Sequence, residues 1–358
     1  YYARIGMMLA QGKPKCDLLV ISPIESVFAQ VAVDAFNELQ PASPVIAKIE
    51  QNYFDLFYWL QSEKIDFDYG DEEMMSRLAS VGKDADGQTI LRVGQAEYKT
   101  VFVGNMATMR STTLQLLKDF YAQGGQIVMG GEAPDMLDVE KSDEPKALLQ
   151  HATQADYNKD SITRALLSKI SPTVTVCDSL GNNIDSIFCQ ARIDGERTVY
   201  VIMNMSRKDD YGEVTVHLPS QGFLTEWNCR NGEVYAIADV EKADSGITFK
   251  ASFAPLEEHV FTTSPQAITQ HPSPNTHHPS PLTSHLSPLT YEYELSEPNV
   301  LPLDMAYYTV DGKRSAQTME ILHIDRAIRS HYGLKYRGGE MLQPWFASKH
   351  PSPLTSHL

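Results

Sequence analysis

The sequence predicts an open doubly wound α/β domain followed by an antiparallel β-sandwich, a disordered Pro/Ser/His-rich linker and a truncated β-rich segment. Three observations carry this expectation. Over residues 16–129, short apolar strand-like runs alternate with amphipathic helical stretches, the order expected of a parallel sheet covered by helices. Over 174–261 the texture changes to short alternating stretches, VTVCD, SIFCQARI, TVYVIMN, EVTVHL, EVYAIAD and GITFKASF, separated by turn signals. Finally, the nonapeptide HPSPLTSHL occurs twice, residue for residue, at 278–286 and 350–358.

The elements follow in order. A first helix over 2–11 places Ile5, Met8 and Leu9 on one face and stops at Gly12 before Pro14. CDLLVIS, 16–22, is apolar throughout, as a strand covered on both faces requires. After Pro23 come two helical stretches, 24–39 and 45–62, the second carrying Ile49, Phe54, Phe57, Tyr58 and Leu60. KIDFDYGDEEMMSRL supplies a short strand, a turn at Gly70 and a helix with Asp71 as N-cap and Glu72 and Glu73 at its positive end. Residues 90–93 and 97–104 read as further strands. Residues 111–122 read as a helix with Leu114, Leu117 and Tyr121 on one stripe, closed by Gly124 and Gly125, and 126–129 as the next strand. Helical stretches at 145–154 and 161–170 lead into the sandwich, whose turns are marked by Asp194-Gly195 and Asn231-Gly232.

Between 264 and 290, Pro, Ser, Thr and His leave too little apolar surface to offset backbone ordering, and the prolines block helix and ladder alike. Beyond it, 291–346 resumes ordinary protein with a strand, a turn at Asp311-Gly312 and a helix at 321–331. The expected parts are therefore 1–150 (α/β domain with its leading helix), 151–263 (connecting helices and sandwich), 264–290 (linker), 291–349 (partial sandwich) and 350–358 (repeat tail). Identity of the two nonapeptides, with no apolar period to preserve, points to a translated nucleotide repeat and to an internal fragment of a longer gene.

Composition excludes some functions. Thirty basic against 46 acidic residues give a net charge of −16, which opposes a phosphate-backbone partner. No apolar run approaches the length of a membrane span. Cys16, Cys177, Cys189 and Cys229 show no CxxC and no zinc-ligand spacing, so they read as buried thiols, with a Cys177–Cys189 bridge across a hairpin as the alternative.

The candidate chemistry is sparse. Asp66, Asp68, Asp71, Glu72 and Glu73 would offer oxygens to a divalent cation, but capping accounts for part of the cluster and the loop lacks EF-hand spacing, so no metal site is expected. GGEAPD follows a strand at the carboxyl edge of the predicted sheet, where doubly wound folds place ligands. Gly130 and Gly131 would admit a ligand close to the backbone, with Glu132 as acid or base and Asp135 beside it. Neither GxGxxG, P-loop nor GxSxG is present, and no cofactor is expected. His271, His277, His278 and His285 read as incidental, and Trp227 and Trp345 as sugar-stacking candidates, with Trp227 better explained as sandwich core or edge.

YYARIGMMLAQGKPKCDLLVISPIESVF, IDFDYGDEEMM and EYKTVFVGNMATMRSTTLQLLKDFYAQGGQIVMGGEAPD together resemble the region after the catalytic barrel in large bacterial glycoside hydrolases. The resemblance is to α-L-rhamnosidase-like enzymes of family 106 and family 2-like relatives, and to the trimerisation domain of family 42 β-galactosidases. LTEWNCRNGEVY is similar to a sandwich hairpin of these enzymes, and SEPNVLPLDMAYYTVDG to the start of a further sandwich. The resemblance implies a flavodoxin-like domain beside a barrel, carbohydrate and that barrel as partners, and an exported parent enzyme. The family's catalytic acids lie in the barrel, so no catalytic residue transfers to this chain. The alternative is a free-standing sugar-binding or amidotransferase-like module using Gly130 to Asp135.

Overall fold

A computed structural model describes residues 1–31, 36–37, 40–41, 43–266 and 305–334. Both nonapeptides, Trp345 and the four histidines from His271 to His285 lie outside these residues. The chain divides into two compact units, Tyr1–His277 and His278–Leu358.

At the centre of the first unit are five strands, all parallel: Leu18–Ile21, Phe67–Gly70, Thr100–Gly104, Gln126–Gly130 and Thr153–Ala155. Numbered along the chain, their order across the sheet is 2-1-3-4-5. The first strand shows why its sequence carries no polar alternation. Leu19 and Ile21 join one core cluster with Val101, Val103 and Met129, beneath the helix Ser111–Ala122. Leu18 and Val20 join another with Phe102 and Val128, beneath the helices Pro44–Ser62 and Lys159–Leu167. A strand sandwiched between two helical layers must be apolar on both faces.

Several elements differ from the sequence expectation. The helix at Ile24 ends at Phe28, and Phe36–Asn37 pairs antiparallel with Gln40–Pro41. The β-branched Val31 weighs against a continued helix. The run 97–104 is two strands. Ala96–Tyr98 belongs to an antiparallel sheet with Thr89–Val93 and Ala79–Lys83, and Thr100–Gly104 to the parallel sheet. The Asp17 carbonyl accepts both Lys99 N (2.9 Å) and Thr100 N (3.0 Å) at the break. The stretch read as helix over 145–154 is the short helix Glu144–Leu149 followed by the fifth parallel strand, whose three residues TQA carry no apolar signal. In Ser111–Ala122 the buried stripe runs through Thr113, Leu114, Leu117 and Phe120, and Tyr121 is exposed.

Two antiparallel sheets complete the unit. One has the order Lys13–Pro14, Ile187–Asp194, Arg197–Asn204, Glu258–Ser264, Phe223–Trp227, Val234–Ala236. The other runs Thr175–Cys177, Tyr211–Leu218, Gly246–Phe253, Glu241–Ala243. Ala191, Tyr200, Ile202 and Phe261 of the first share one core with Val176, Val216, Ile247, Phe249 and Phe253 of the second. Cys177 and Cys189 lie in different sheets rather than across one hairpin, and all four thiols are free. The Gly195 turn, φ 61°, closes the hairpin in which Asp194 pairs with Arg197.

The leading helix, Tyr2–Leu9, packs on this antiparallel unit rather than on the parallel sheet it precedes. Met8 is buried with Val199, Val201, Cys229 and Val260, and Arg4 donates to the carbonyls of Cys229 (3.2 Å) and Arg230 (3.0 Å). Lys13–Pro14 then forms the edge strand beside Arg192 and Ile193. Gly12 makes that approach feasible: its φ is 51°, and a Cβ there would sit 1.9 Å from the Ile193 carbonyl oxygen.

Where the parallel and antiparallel parts meet, Lys64 is almost fully buried. Its ammonium donates to the carbonyls of Ser62 (2.8 Å) and Ile184 (2.6 Å) and to Asn183 Oδ1 (2.6 Å). Burial pushes this amine down to about 8. Three oxygen acceptors match the three N–H donors of a buried ammonium.

The second unit contains the helix Ile321–His331, capped by Glu320 accepting from His323 N (3.0 Å), and two short strand pairs. Asp311-Gly312 forms the turn between Thr309–Val310 and Lys313–Arg314.

Candidate functional site

In a parallel sheet of order 2-1-3-4-5, the connections from strands one and three leave in opposite directions. Ligands bind in the crevice this opens at the carboxyl ends. Here that crevice lies beyond Ile21 and Gly104, and the chain fills it with its own groups. Ser26, fully buried, accepts from Ala107 N (2.8 Å) and Thr108 N (3.1 Å) and donates to the Thr108 carbonyl (3.3 Å). Asn105, held at φ 58°, accepts from Asn52 Nδ2 (2.8 Å) and donates to the Ile49 carbonyl (2.8 Å). The backbone amides of Ala107 and Thr108 are thereby already engaged.

The rim of this edge is an internal polar network. Arg110 pairs with Glu25 (2.5 Å), and its backbone N–H donates to Glu72 Oε2 (2.9 Å). Glu72 is fully buried, and burial raises its carboxyl above the ordinary range. Asp138 accepts from Ser111 N (3.0 Å), at the first turn of the helix beginning there.

The predicted site residues separate into two kinds. Gly130 and Gly131 lie against aromatic side chains. A Cβ on Gly130 would lie 2.5 Å from Phe102 Cζ, and one on Gly131, φ 77°, would lie 3.2 Å from Tyr157 Cβ. Gly131 N donates to the Ala155 carbonyl (2.8 Å), and Tyr157 bonds back to the Asn52 carbonyl (3.0 Å). Glu132 and Asp135 are exposed, and Asp135 pairs with Lys141 at 2.5 Å. No contact joins Glu132 to Asp135 or to another carboxylate among the described residues.

The acidic cluster disperses in the same way. Asp71 caps the helix Glu72–Leu78 by accepting from Met74 N (2.7 Å), and Glu73 pairs with Arg77. Asp68 accepts from the Tyr98 hydroxyl (2.9 Å). Asp66, half-buried, is pushed up to about 7 by burial and by the neighbouring Asp68. Trp227 is half-buried, its Nε1 donating to Thr262 Oγ1 (3.0 Å) on the neighbouring strand of its antiparallel sheet. A cavity of about 510 Å³ opens at the opposite, amino edge of the sheet, lined by Tyr121, Gln126, His151 and Lys169 among others.

Ser26, Asn52 and Lys64 carry no sequence signal. Each is a common polar residue in a helical or turn segment, and only the fold shows what it touches.

No family model matches the chain, and no curated protein matches it by sequence. Among solved structures, a rhamnosidase from Novosphingobium sp. PP1Y matches with TM-score 0.51 at 15% identity, over 77% of this chain and 25% of that one. The α-L-fucosidase isoenzyme 2 from Paenibacillus thiaminolyticus follows with TM-score 0.45 at 10% identity, over 74% and 50%. A β-galactosidase from Bacillus circulans sp. alkalophilus gives TM-score 0.44 at 11% identity, over 73% and 43%. The chain thus spans a quarter of the rhamnosidase and half of the fucosidase, and at 15% identity the likeness to the rhamnosidase is one of fold.

Proposed function

We propose that this chain is the non-catalytic accessory portion of a larger, exported, rhamnosidase-like glycoside hydrolase acting on polysaccharide. In this reading a flavodoxin-like unit and a β-sandwich support a catalytic barrel carried outside residues 1–358. The observation that carries it is the self-filled crevice. The one place where this sheet order would receive a ligand is occupied by Ser26 and by the Asn52–Asn105 pair, so the unit reads as scaffold. The fold shared with a quarter of the rhamnosidase supports the choice of parent, by analogy of fold. A free-standing sugar-binding or amidotransferase-like module centred on Gly130 to Asp135 has less support, because its glycines are taken up by Phe102 and Tyr157.

The purified chain incubated with aryl α-L-rhamnosides and β-galactosides should release no aglycone above buffer. Turnover that disappears in Glu132→Ala would overturn the accessory reading. Retention on an oligosaccharide array that is lost in the same variant would favour the alternative.

A further inference from the structure

His259 stands at the open end of the core between the two antiparallel sheets. Its strand, Glu258–Ser264, pairs with Phe223–Trp227, and Glu226 lies opposite Phe261 on the face that His259 shares. His259 Nδ1 is 2.6 Å from Glu226 Oε1. On the other side of the ring, Nε2 is buried, has no hydrogen-bond partner and lies 3.7 Å from Glu257 Oε2. The ring stacks on Phe261 (5.6 Å, 5°) and meets Phe253 edge-on (4.8 Å, 81°), so it cannot swing away freely.

Glu257 ends a turn that carries the chain from one sheet to the other. Its carboxylate accepts from Ala254 N (2.7 Å), and its carbonyl from Asn204 N (2.9 Å). Leu256 sits in this turn at φ 57°, unusual for a branched residue, with its N–H on the Ser206 carbonyl (3.1 Å). The remaining neighbours bring no cation. Tyr235, opposite Glu226, donates to Glu233, and the strand Gly246–Phe253 presents the Phe253 ring and the Ser252 backbone. Neither Glu226 nor Glu257 pairs with a Lys or Arg among the described residues.

This geometry distinguishes the two states of the ring. A neutral imidazole donating from Nδ1 satisfies Glu226 but turns a bare lone pair toward the Glu257 carboxylate. An imidazolium carries a proton on both nitrogens, so its second N–H turns toward the Glu257 carboxylate at 3.7 Å and the Ser252 backbone instead of presenting a lone pair to them.

We propose that His259 is a proton-operated latch: charged, it bridges Glu226 and Glu257 and fastens the inter-sheet turn over 254–257 to the first sheet, and neutral, it leaves that turn held only by its backbone bonds and by the Glu257 carboxylate on Ala254 N. Burial opposes the charge, but the two carboxylates outweigh it and raise the ring above its ordinary 6.5. A raised histidine contributes stability that is complete below 6.5 and is lost as pH rises through the folded-state value. The latch is therefore set above the ordinary imidazole value, independently of the accessory reading above.

Two measurements on the whole chain test it. The first is an NMR titration of the His259 ring in wild type and in Glu257→Gln. The second is amide-exchange protection of Leu256 and Glu257 from about pH 5.5 to about 8.5, in wild type, His259→Gln and Glu257→Gln. His259 should titrate above 6.5 in wild type and lower in Glu257→Gln. Protection of the turn should fall as the ring deprotonates, about tenfold for each pH unit by which the wild-type ring stands above that of Glu257→Gln, and should be pH-independent in both variants. Titration at or below 6.5, or a protection profile identical in wild type and Glu257→Gln, would refute the latch even if His259→Gln fails to fold.

Discussion

Replacing Leu19 with alanine removes three buried carbon groups from the first parallel strand, at a point that cannot readily collapse. Leu19 is 1% exposed and shares its cluster with Met75, Leu91, Val101, Leu117 and Met129. Backbone lies on both sides of it, with Asp68 and Val101 in register on the neighbouring strands. It is also packed tightly from the second strand, since a Cβ on Gly70 would lie 3.2 Å from its Cδ1. At roughly 0.8 kcal/mol for each buried carbon group, the lost transfer energy is about 2.4 kcal/mol. The cavity that backbone neighbours keep open adds about 1–2 kcal/mol, giving a loss of about 3–4 kcal/mol. Urea unfolding followed by far-UV circular dichroism reads this as a lower midpoint at unchanged slope. Val45→Ala, on an exposed helix position, is the control and should stay within about 0.5 kcal/mol. A Leu19→Ala loss below about 1 kcal/mol would refute the two-sided burial of this strand and with it the assignment of a covered parallel sheet.

Gly130→Ala should cost about 1–3 kcal/mol, because its Cβ can be accommodated only by moving Phe102 out of a packed core. Thermal unfolding checks this, and an unchanged midpoint would return Gly130 to the class of ligand-approach glycines. For Asp66, the folded-state value of about 7 exceeds the ordinary 3.8, so the native state holds a proton that the unfolded chain releases. Its contribution makes stability fall as pH rises between these values, and Asp66→Asn should gain on wild type across that window; parallel stability curves would contradict it. Since Asp66 tilts stability in the same direction as His259, the two are separated by comparing variants rather than by the wild-type slope alone.

The long-range pattern was legible where chemistry and period coincide. The apolar run 16–22 announced a strand buried on both faces, and the alternation over 187–194 announced a strand with one face inward, whereas Arg197–Asn204 is buried on both faces because the leading helix covers Val199 and Val201. Asp71 was readable as a cap because its role depends on residues three positions away. What escaped was set by distant partners. The fifth parallel strand, TQA, is held by its neighbour's backbone rather than by its own side chains, and 97–104 splits because Asp17 captures two consecutive amides. The packing at the candidate site was not readable in sequence: a Cβ at Gly130 or Gly131 would meet Phe102 or Tyr157, 28 and 26 residues away, and only the fold brings those residues beside the two glycines.

The edge strand Lys13–Pro14 lies beside Ile193 although some 180 residues separate them, and the whole parallel sheet is built from the chain between. In covalent terms the parallel unit is an insert, spliced between the outermost strand of an antiparallel sheet and the rest of that sheet. Such nesting makes assembly order matter. The outer strand cannot seat until the insert has folded and drawn its two ends together, because a loop of that length gains little from closing while it is still disordered. It also distributes mechanical load unusually. A nick between Pro14 and the first parallel strand would leave both units connected through the chain that returns to Thr175, whereas a pull applied at Tyr1 would be borne first by Arg4, Met8 and the two-residue edge strand, leaving the parallel unit shielded behind them.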